Sequence, residues 1–198
     1  MNSKRAFDLV FATIGVILLS PVLLGISVLI HMDSKGGVFY RQIRVGKNML
    51  DFNLYKFRTM SVQLIDQNIP TSENPDSRVT KLGAVLIRYK LDQLPQLLNV
   101  LRGNMSLVGP RPELRKYVNL YNDEQLKILS VKPGIIDWAS LEFSNEHELL
   151  DKGADPETYY IEKIIPTRIH QNMRYINDNN LAGDFKVIWL TINKIMLN

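Results

Sequence analysis

The sequence contains no cysteine, and this absence narrows the chemistry that the chain can carry. Without a thiol there can be no disulfide, no zinc-thiolate site and no thiol nucleophile. Histidine is scarce as well, since His31, His147 and His170 are the only three in 198 residues. They lie far apart and no HExxH pattern occurs, so a histidine metal cluster is not expected.

The common phosphate-binding signatures are also missing. The sequence has no GxxxxGK[ST] loop, no GxGxxG turn and no DxD pair of the kind that metal-dependent nucleotide-sugar transferases often use. It has no repeat and no low-complexity tract, and its length suits one main domain. Lys and Arg number 24 against 20 Asp and Glu, and the net charge of +4 favours an anionic partner such as nucleic acid, a lipid headgroup or a phosphorylated substrate.

The N-terminal segment is the exception to this mixed composition. Residues 9–30 pass without a charge, and 15 of these 22 residues are Leu, Ile, Val or Phe. At about 1.5 Å of rise per residue, a helix of this length could cross the roughly 30 Å hydrocarbon layer of a bilayer. A secretory signal peptide has a similar profile, but no small-x-small cleavage site follows His31. We therefore expect residues 1–32 to form a retained membrane segment.

The charges around this segment predict its topology. Lys4 and Arg5 precede it, and four more basic residues follow it closely, namely Lys35, Arg41, Arg44 and Lys47. Basic residues favour the cytoplasmic side, so both ends are drawn to the same face of the membrane. Ser20 and Pro21 lie near the middle, where proline removes a helix hydrogen bond. We expect a re-entrant helix-break-helix hairpin at Ser20-Pro21, with the Ser20 hydroxyl as a partner for the freed backbone groups.

Two short basic segments after residue 32 have the alternation of β-strands. Residues 36–46 and 52–60 mix β-branched and aromatic residues and are joined around Gly46-Lys47-Asn48, which predicts a β-hairpin. Its Lys and Arg side chains could form a solvated strand face or a surface that binds an anion. Residues 61–80 are polar and rich in Pro, Asn and Ser, and a loop of this length is usually functional or disordered.

A leucine-rich stretch predicts the helix that carries the main catalytic candidate. Its leucines recur at intervals of three and four residues between positions 91 and 101, which gives one apolar helix face. Pro95 falls in the first turn, where its missing N–H costs nothing, and Asp92 falls at or beside the N-cap. Two interpretations of Asp92 stay open. It could be a helix cap, or a nucleophile whose ionised form the helix dipole favours.

Several cationic side chains lie in short, conformationally restricted settings. Arg111 is held between Pro110 and Pro112, and the other candidates are Lys56, Arg58, Arg78 and Arg88. Arginine forks match phosphate oxygens bidentately, and a restricted backbone lowers the entropy cost of binding. Each residue alone could be an ordinary surface cation. Together with Asp92, behind a membrane segment, they indicate phosphoryl chemistry on a lipid.

The C-terminal region predicts helices. Asp155-Pro156 opens one that Pro166 is expected to interrupt. The last stretch places six apolar residues on one helix face, namely Phe185, Ile188, Trp189, Ile192, Ile195 and Met196. Such a face is typical of a core helix, and beside a membrane segment it also suits an interfacial helix. The expected fold is mixed α/β: a re-entrant membrane hairpin over residues 1–32, and over residues 33–198 a small cytoplasmic catalytic domain with a short β-hairpin and several amphipathic or interfacial helices.

Five segments occur in an order and spacing that resemble a known family. They are YRQIRVG (40–46), LYKFRTM (54–60), DSRVTKLG (76–83), LDQLPQLLNVLRGNMSLVGPRPE (91–113) and VKPGIIDWAS (131–140). The chain thereby resembles the bacterial sugar transferases, which are monotopic phosphoglycosyl transferases. The resemblance extends from the Lys4-Arg5 start through the C-terminal region. Within this family, the length of the chain implies the small form, and we expect a catalytic domain without additional membrane spans.

The resemblance also implies a reaction. Members transfer a sugar-1-phosphate from a UDP-sugar to undecaprenyl phosphate at the cytoplasmic face of the bacterial inner membrane, and so initiate glycoconjugate assembly. They use Mg²⁺ and a covalent phosphosugar-enzyme intermediate, and they release UMP. Both phosphoryl steps develop negative charge, which Mg²⁺ and cationic side chains would stabilise. The expected partners are UDP-sugar, undecaprenyl phosphate and membrane lipids; a homodimer is left open, and nucleic acid is not expected.

The resemblance assigns site residues one by one. The family nucleophile is the Asp of an Asp-Glu pair and falls on Asp92, which would also contact the metal. Arg111 resembles the family's phosphate-binding arginine, and Ser20 and Pro21 match the break of its membrane hairpin. The other candidates to bind the diphosphate or support the metal site are Lys56, Arg58, Arg78 and Arg88.

Two departures from the family pattern matter. Gln93 stands where the family has Glu, so an anionic group is missing beside Asp92 and reduced activity is expected; whether Gln93 is natural or an engineered Glu-to-Gln substitution stays open. The segment PGIIDWAS replaces a more common pattern with Thr and Gly before the Trp, which leaves the UDP-sugar and the glycan pathway open. The alternatives are a membrane-tethered module that binds nucleic acid through the basic hairpin, and a scaffold without catalysis.

Overall fold

The first element of the fold is one long helix. The computed structural model describes residues 3–61, 78–139, 156–177 and 180–197. It begins with α1 (Ser3–Asp33), a helix of 31 residues that contains the whole apolar run. Within the described ranges, α1 is the one helix that is long and apolar enough to cross a membrane. Most of the predicted loop at 61–80 lies outside these ranges.

The predicted break at Ser20-Pro21 is not observed, because α1 continues through Pro21. In a regular helix the carbonyl of Ile17 accepts a bond from the residue four positions later, and Pro21 has no N–H to donate. The Ser20 hydroxyl donates to this oxygen instead, at 2.8 Å. The expectation that the Ser20 hydroxyl would serve a freed backbone group is confirmed, and that same bond allows the helix to stay intact where we expected an interruption.

One face of α1 packs along the rest of the molecule. Asp8, Ala12, Ile26 and Ile30 are buried on it, and the half-buried apolar residues between them join two hydrophobic clusters of the domain. The opposite face carries exposed apolar side chains along its length, including Val10, Phe11, Ile14, Ile17, Leu18, Val22, Leu24, Val28, Leu29 and Met32. Both halves of α1 therefore contact the same domain and leave an uncovered apolar stripe.

The predicted β-hairpin is confirmed. Strands β1 (Phe39–Val45) and β2 (Asp51–Phe57) are antiparallel, with Phe39 opposite Phe57 and Val45 opposite Asp51. A short 3₁₀ segment, Lys47–Met49, joins them. Asn48 adopts a left-handed φ of 54° there, which asparagine tolerates better than most residues. Phe52 and Leu54 of β2 enter the main hydrophobic core.

The leucine-rich stretch forms two elements where we expected one helix. These two elements are a 3₁₀ turn (Leu91–Gln93) and helix α3 (Gln96–Arg102). They follow helix α2 (Lys81–Arg88), which is capped by Thr80. The residue at the N-cap of α3 is Pro95, so Asp92 is not the cap that the sequence allowed. Leu97 and Val100 of α3 are buried in the core, as the apolar spacing predicts.

A second, parallel strand pair supports the middle of the chain. Strand β3 (Ser106–Val108) pairs with β4 (Gly134–Ile136), so that Ser106 lies opposite Gly134 and Val108 opposite Ile136. Helices α4 (Arg115–Val118) and α5 (Asp123–Leu126), with a 3₁₀ turn at Lys127–Ser130, connect the two strands. Because the strands are parallel, their carboxyl ends lie at the same edge of the pair, where they lead into the GPRP segment and Asp137.

The C-terminal helices complete the mixed α/β fold. They are α6 (Pro156–Tyr159), a π-helical segment (Tyr160–Ile164), α7 (Ile165–Asn177) and α8 (Leu181–Leu197). The interruption predicted at Pro166 is not observed. The π-helical segment ends at Ile164, and α7 continues through Pro166. On α8, Val187 is buried while Phe185, Trp189 and Ile192 are exposed. Ile195 and Met196 lie outside the residues whose side chains the structure describes.

Candidate active site

Asp92 lies in the 3₁₀ turn between α2 and α3 and is 8% exposed. Lys90 enters this turn with a left-handed backbone, φ 56°, which is uncommon for a residue with a side chain. The amide of Gln93 donates to the Lys90 carbonyl at 3.3 Å and holds the turn closed. Sparsely populated backbone conformations of this kind concentrate at functional sites. The turn brings Asp92 Oδ2 to 4.0 Å from Lys56 Nζ.

Burial raises the pKa of the Asp92 carboxyl above its ordinary value, while Lys56, Arg111, the backbone N–H of Asp92 and Lys90 act in the opposite direction. We expected a helix N-terminus to favour the ionised form. The difference arises because Asp92 precedes the first turn of α3 and is removed from water, so desolvation is the largest influence. The result is a more basic carboxylate, which is the better nucleophile once it is ionised.

Asn99 determines how this turn meets the β-hairpin. Its side chain is fully buried; its Oδ1 accepts from the Tyr55 amide at 3.0 Å, and its Nδ2 donates to the Asn53 carbonyl at 2.7 Å. The amide thus pairs with the free edge of β2 as a neighbouring strand would. This fixes α3 against β2, so that Lys56 faces Asp92. Burial and Arg111 lower the pKa of Lys56, while Asp92 raises it.

Arg111 lies in the loop after β3, and two glycines allow that loop to approach β4. The amide of Gly134 donates to the Pro110 carbonyl at 2.9 Å, and that of Gly109 to the Ile136 carbonyl at 3.0 Å. A Cβ on Gly134 would lie 2.1 Å from the Gly109 nitrogen. Backbones this close exclude any side chain. The PGII and GPRP segments are therefore one packed unit that carries Arg111.

A cleft opens between the β-hairpin, the 3₁₀ turn and the GPRP loop. Its polar lining residues are Arg44, Lys56, Gln93, Gln96 and Arg111. Asp92 borders this lining through Lys56. Three cationic side chains in one cleft, two of which (Lys56 and Arg111) act on the buried Asp92 carboxylate, suit the binding and displacement of phosphate groups.

Arg44 and Lys90 belong to this region but were not among the predicted site residues. Arg44 Nη1 donates to the Pro112 carbonyl at 3.1 Å, and its Nη2 donates to Gln42 Oε1 at 2.8 Å. Strand alternation could have identified Arg44, because it pairs with Phe52 and must share the face that Phe52 and Leu54 direct inward. Burial and Arg111 lower the pKa of Lys90, but no sequence pattern marks its left-handed backbone.

Three other predicted cations have different surroundings. Because β2 ends at Phe57, Arg58 leaves the strand face of Lys56; its guanidinium donates to the carbonyls of Ile30, Ser34 and Lys35 at 3.2, 2.6 and 2.8 Å. Arg58 therefore binds carbonyl groups at the C-terminal end of α1. Arg88 is exposed and lies over the Tyr89 ring. Neither Arg88 nor Arg78 lines the cleft, whereas Lys56, Gln93 and Arg111 do.

The donor groups at the cleft allow one kind of metal site. In the part of the chain that the structure describes, no three His, Cys, Asp or Glu side chains converge to hold a metal ion. Mg²⁺ is usually bound by one or two carboxylates, with substrate phosphates and water completing its coordination. Asp92 supplies a carboxylate and Gln93 an amide oxygen. These donors fit an ion shared with a substrate and do not fit an all-protein cage.

Comparisons with known proteins give relatives over the whole chain. The sequence is 37% identical over 199 residues to the UDP-glucose:undecaprenyl-phosphate glucose-1-phosphate transferase of Escherichia coli K12, which covers 98% of this chain and 40% of that protein. It is 35% identical over 196 residues to the UDP-N-acetylgalactosamine-undecaprenyl-phosphate N-acetylgalactosaminephosphotransferase of Aeromonas hydrophila, covering 98% and 43%. It is 33% identical over 199 residues to the uncharacterized sugar transferase EpsL of Bacillus subtilis, covering 100% and 89%.

The chain thus spans about two fifths of the length of the first two relatives and most of the third. The sequence profile of the bacterial sugar transferases matches residues 1–198, which include Asp92 and every residue of the cleft. Since the match extends over the whole chain, the protein belongs to the bacterial sugar transferase family.

Proposed function

We propose that this chain transfers a sugar-1-phosphate from a UDP-sugar to undecaprenyl phosphate, with Asp92 as the nucleophile, and so starts the assembly of a glycoconjugate. The observation that carries the proposal is a buried carboxylate facing cations: Lys56 is 4.0 Å from Asp92, and Arg111 lines the same cleft. The names of the E. coli and Aeromonas relatives, which state a UDP-sugar and undecaprenyl phosphate as substrates, support this substrate class.

In the first step an Asp92 oxygen attacks the phosphorus that bears the sugar. The new bond joins carboxylate oxygen and phosphorus; the bond from that phosphorus to the bridging oxygen breaks, and UMP leaves with the electron pair. The product is a sugar-bearing acyl phosphate on Asp92. Arg44, Lys56 and Arg111 line the region where charge grows on the phosphoryl oxygens, and stabilisation of that charge is the main contribution a protein makes to such a transfer.

In the second step an oxygen of undecaprenyl phosphate attacks the same phosphorus, and the Asp92 carboxylate departs unchanged. The attacking phosphate is already ionised, so this step needs no general base, and the neutral amide of Gln93 does not prevent it. Asp92, Gln93 and the diphosphate would together hold Mg²⁺, which neutralises phosphate charge when it is bound. The cationic side chains would hold both substrates in turn, since each presents a phosphate to the same cleft.

The long helix supports a membrane location for the lipid substrate. We propose that α1 inserts its exposed apolar face into the cytoplasmic leaflet of the bacterial inner membrane, so that the chain is monotopic and both helix ends stay on one side. Both halves of α1 pack on the same domain, whereas a helix that crossed the bilayer would leave half its length beyond the domain's reach. A cysteine introduced as Asn2→Cys should resist labelling from the periplasm in intact cells; ready labelling would refute this topology.

The test of the reaction is UMP release from a panel of UDP-sugars, with and without undecaprenyl phosphate. We expect release with at least one UDP-sugar, and labelled sugar-phosphate bound to the protein when the lipid acceptor is omitted. Asp92→Asn should abolish both signals. Turnover without any labelled protein, or turnover by the Asn variant, would contradict the covalent route.

The same test separates the enzyme from a nucleic-acid-binding module. Such a module would need the hairpin cations together on one open face. Arg41 and Lys47 are exposed, but Arg44 and Lys56 line the cleft and Arg58 contacts α1. A salt-dependent shift of an oligonucleotide without UMP release would favour the module. A scaffold would give neither signal.

A further inference from the structure

Glu113 is a buried acid that the proposed reaction does not use. It ends the GPRPE segment, two residues after Arg111, and is 8% exposed. The Tyr160 hydroxyl donates to its Oε1 at 2.9 Å, and Arg168 Nη1 lies 3.5 Å from the same oxygen. Arg44 Nη1 lies 3.6 Å from Oε2. One carboxylate thus contacts both β1 and the C-terminal helices.

The π-helical turn explains how Tyr160 and Arg168 reach the same oxygen. In a regular α-helix, residues eight positions apart are rotated by about 80° around the axis. The π turn at Tyr160–Ile164 inserts one extra residue, so the offset becomes that of residues seven apart, about 20°. Pro166 leaves no N–H for a regular bond at this point, which favours the insertion. Tyr160 and Arg168 consequently lie on one face of the helix and both contact Glu113.

The main chain holds Arg44 to the same loop. The Val45 amide donates to the Glu113 carbonyl at 3.0 Å, and Arg44 Nη1 donates to the Pro112 carbonyl at 3.1 Å. The end of β1 is therefore bound to Pro112-Glu113 by both backbone and side chain. Arg44 and Arg111 line one cleft and repel each other, and Glu113 is the acid that offsets this repulsion.

We propose that Glu113 is a positioning residue: its carboxylate holds Arg44 beside Arg111, so that both guanidinium groups meet the diphosphate, and it ties this pair to α7 through Tyr160 and Arg168. The inference rests on the proposed function, because the diphosphate of the UDP-sugar is the ligand that the two arginines would bind. The proposal predicts a change in anion affinity opposite in sign to that of a simple charge effect. Removing a nearby negative charge would strengthen the binding of an anion, whereas loss of Arg44 positioning weakens it.

The test is calorimetric binding of UDP to the full chain in detergent micelles, for wild type and Glu113→Gln. The amide keeps the size of the side chain and an acceptor for Tyr160 but removes the charge. We expect about tenfold weaker UDP binding. The matched control is Glu124→Gln, which removes an exposed acid of α5 that contacts Lys127 at 2.7 Å, and it should bind UDP normally. Unchanged or tighter binding by Glu113→Gln overturns the proposal.

A double-mutant cycle identifies the residue through which Glu113 acts. In an Arg44→Gln background, Glu113→Gln should add little further loss, because the group to be positioned is gone. An independent tenfold loss in that background would overturn the role in holding Arg44. If Glu113→Gln does not fold, Tyr160→Phe removes one hydroxyl bond and should weaken UDP binding roughly two- to threefold. No change in that variant would count against the proposal in the same way.

A measurement without ligand separates this inference from the proposed function. Amide hydrogen exchange should be faster in Glu113→Gln than in wild type over residues 40–46 and 109–113, and unchanged over both segments in Glu124→Gln. If wild type binds no UDP, the proposed function fails, yet the exchange pattern still decides whether Glu113 positions Arg44. Equal exchange in wild type and Glu113→Gln would overturn the positioning role by itself.

Discussion

Asp92 and Asp184 are both buried acids that face a lysine, and they differ in how closely that lysine approaches. Lys4 Nζ lies 2.5 Å from Asp184 and also donates to the Tyr175 hydroxyl at 3.1 Å, while that hydroxyl donates to Asp184. Lys56 Nζ stays 4.0 Å from Asp92, beyond hydrogen-bond distance. Each oxygen of Asp184 thus has a close hydrogen-bond donor, and the carboxylate holds α8 to the start of α1. Asp92 has no such close lysine, and its oxygens retain lone pairs that could attack an electrophile.

This difference separates a structural carboxylate, Asp184, from the carboxylate that we propose to react, Asp92. A buried acid with close partners recovers its desolvation cost, whereas one held short of its partners does not. That uncompensated cost appears at Asp92 as a raised pKa. Active sites commonly retain such unfavourable arrangements because the substrate completes them.

The largest expected effect comes from replacing each acid by its amide. Asp92→Asn should lower UMP release by at least roughly 10⁴-fold, because the proposed nucleophile is lost, yet stabilise the fold by about 1 kcal/mol, because a poorly compensated buried charge is removed. Asp184→Asn should destabilise the fold by about 3 kcal/mol, since it leaves Lys4 without its partner. Thermal unfolding in detergent measures both. Equal destabilisation by the two changes would contradict the distinction.

Arg111 provides the next largest effect. Arg111→Lys keeps the charge but removes the planar fork, and it should lower turnover on the order of 10²-fold because developing phosphoryl charge is left under-stabilised. Arg115→Lys is the matched control, since Arg115 binds Asp51 and the Met49 carbonyl at the surface, both at 2.7 Å. It should keep near-normal turnover. Near-normal turnover by Arg111→Lys as well would show that the guanidinium fork of Arg111 is not needed and that the GPRP segment is only a structural turn.

Gln93 tests whether a second carboxylate is needed beside Asp92, the proposed nucleophile. It lines the cleft next to Asp92, and an amide oxygen is a weaker ligand than a carboxylate for Mg²⁺. Gln93→Glu should therefore raise UMP release by at least roughly tenfold at saturating Mg²⁺, about 1.4 kcal/mol of transition-state stabilisation. Gln125→Glu, in the capping box of α5, is the control and should be silent. Equal rates for wild type and Gln93→Glu would show that the charge is not needed here.

The local spacing of apolar residues predicted much of the fold, but it predicted less of the candidate active site. Phe52 and Leu54 alternate, and Leu97 and Val100 follow helical spacing, so each residue's own neighbours determine its burial. Lys56 and Arg58 look equivalent at that level, being two apart on one strand. They diverge because β2 ends at Phe57 and Arg58 meets the carbonyls of α1, a contact between segments more than 20 positions apart. Such pairings have no local signal.

The sequence did not predict that Asp92 lies in a buried turn, and the reason is related. The pattern LDQLP suits a capped helix, and only the left-handed Lys90 and the packing of Asn99 on β2 convert this cap into a buried turn. The bond of the Ser20 hydroxyl was a correct expectation, because its partner, Ile17, lies three residues away. The break expected at Ser20-Pro21 was not, because α1 runs through both residues. Features that depend on residues close together in the sequence could be predicted, whereas features that depend on distant residues could not.

The smallest and most specific test concerns the ionisation of Asp92. Burial raises its pKa, and attack requires the carboxylate, so kcat/KM should fall on acidification through a limb that lies above the ordinary aspartate value of about 3.9. The same shift has the opposite consequence for stability. A carboxyl whose folded-state pKa is raised contributes stability when it is protonated, and that contribution is lost as pH rises through the folded pKa. Asp92→Asn should lack this decline, and Asp184→Asn should retain it.

Gln93→Glu sharpens the pH test, because a second carboxylate beside Asp92 disfavours its ionised form. The acid limb of kcat/KM should therefore move to higher pH in Gln93→Glu while the plateau rises, and Gln125→Glu should leave both unchanged. The measurement is kcat/KM for UMP release from about pH 3 to about pH 9 at fixed ionic strength, so that a limb at the ordinary carboxyl value of about 3.9 would be seen. An acid limb at the ordinary carboxyl value, or a limb that moves to lower pH in Gln93→Glu, would mean that another group controls the reaction. Asp92 would then be a buried acid of the same kind as Asp184.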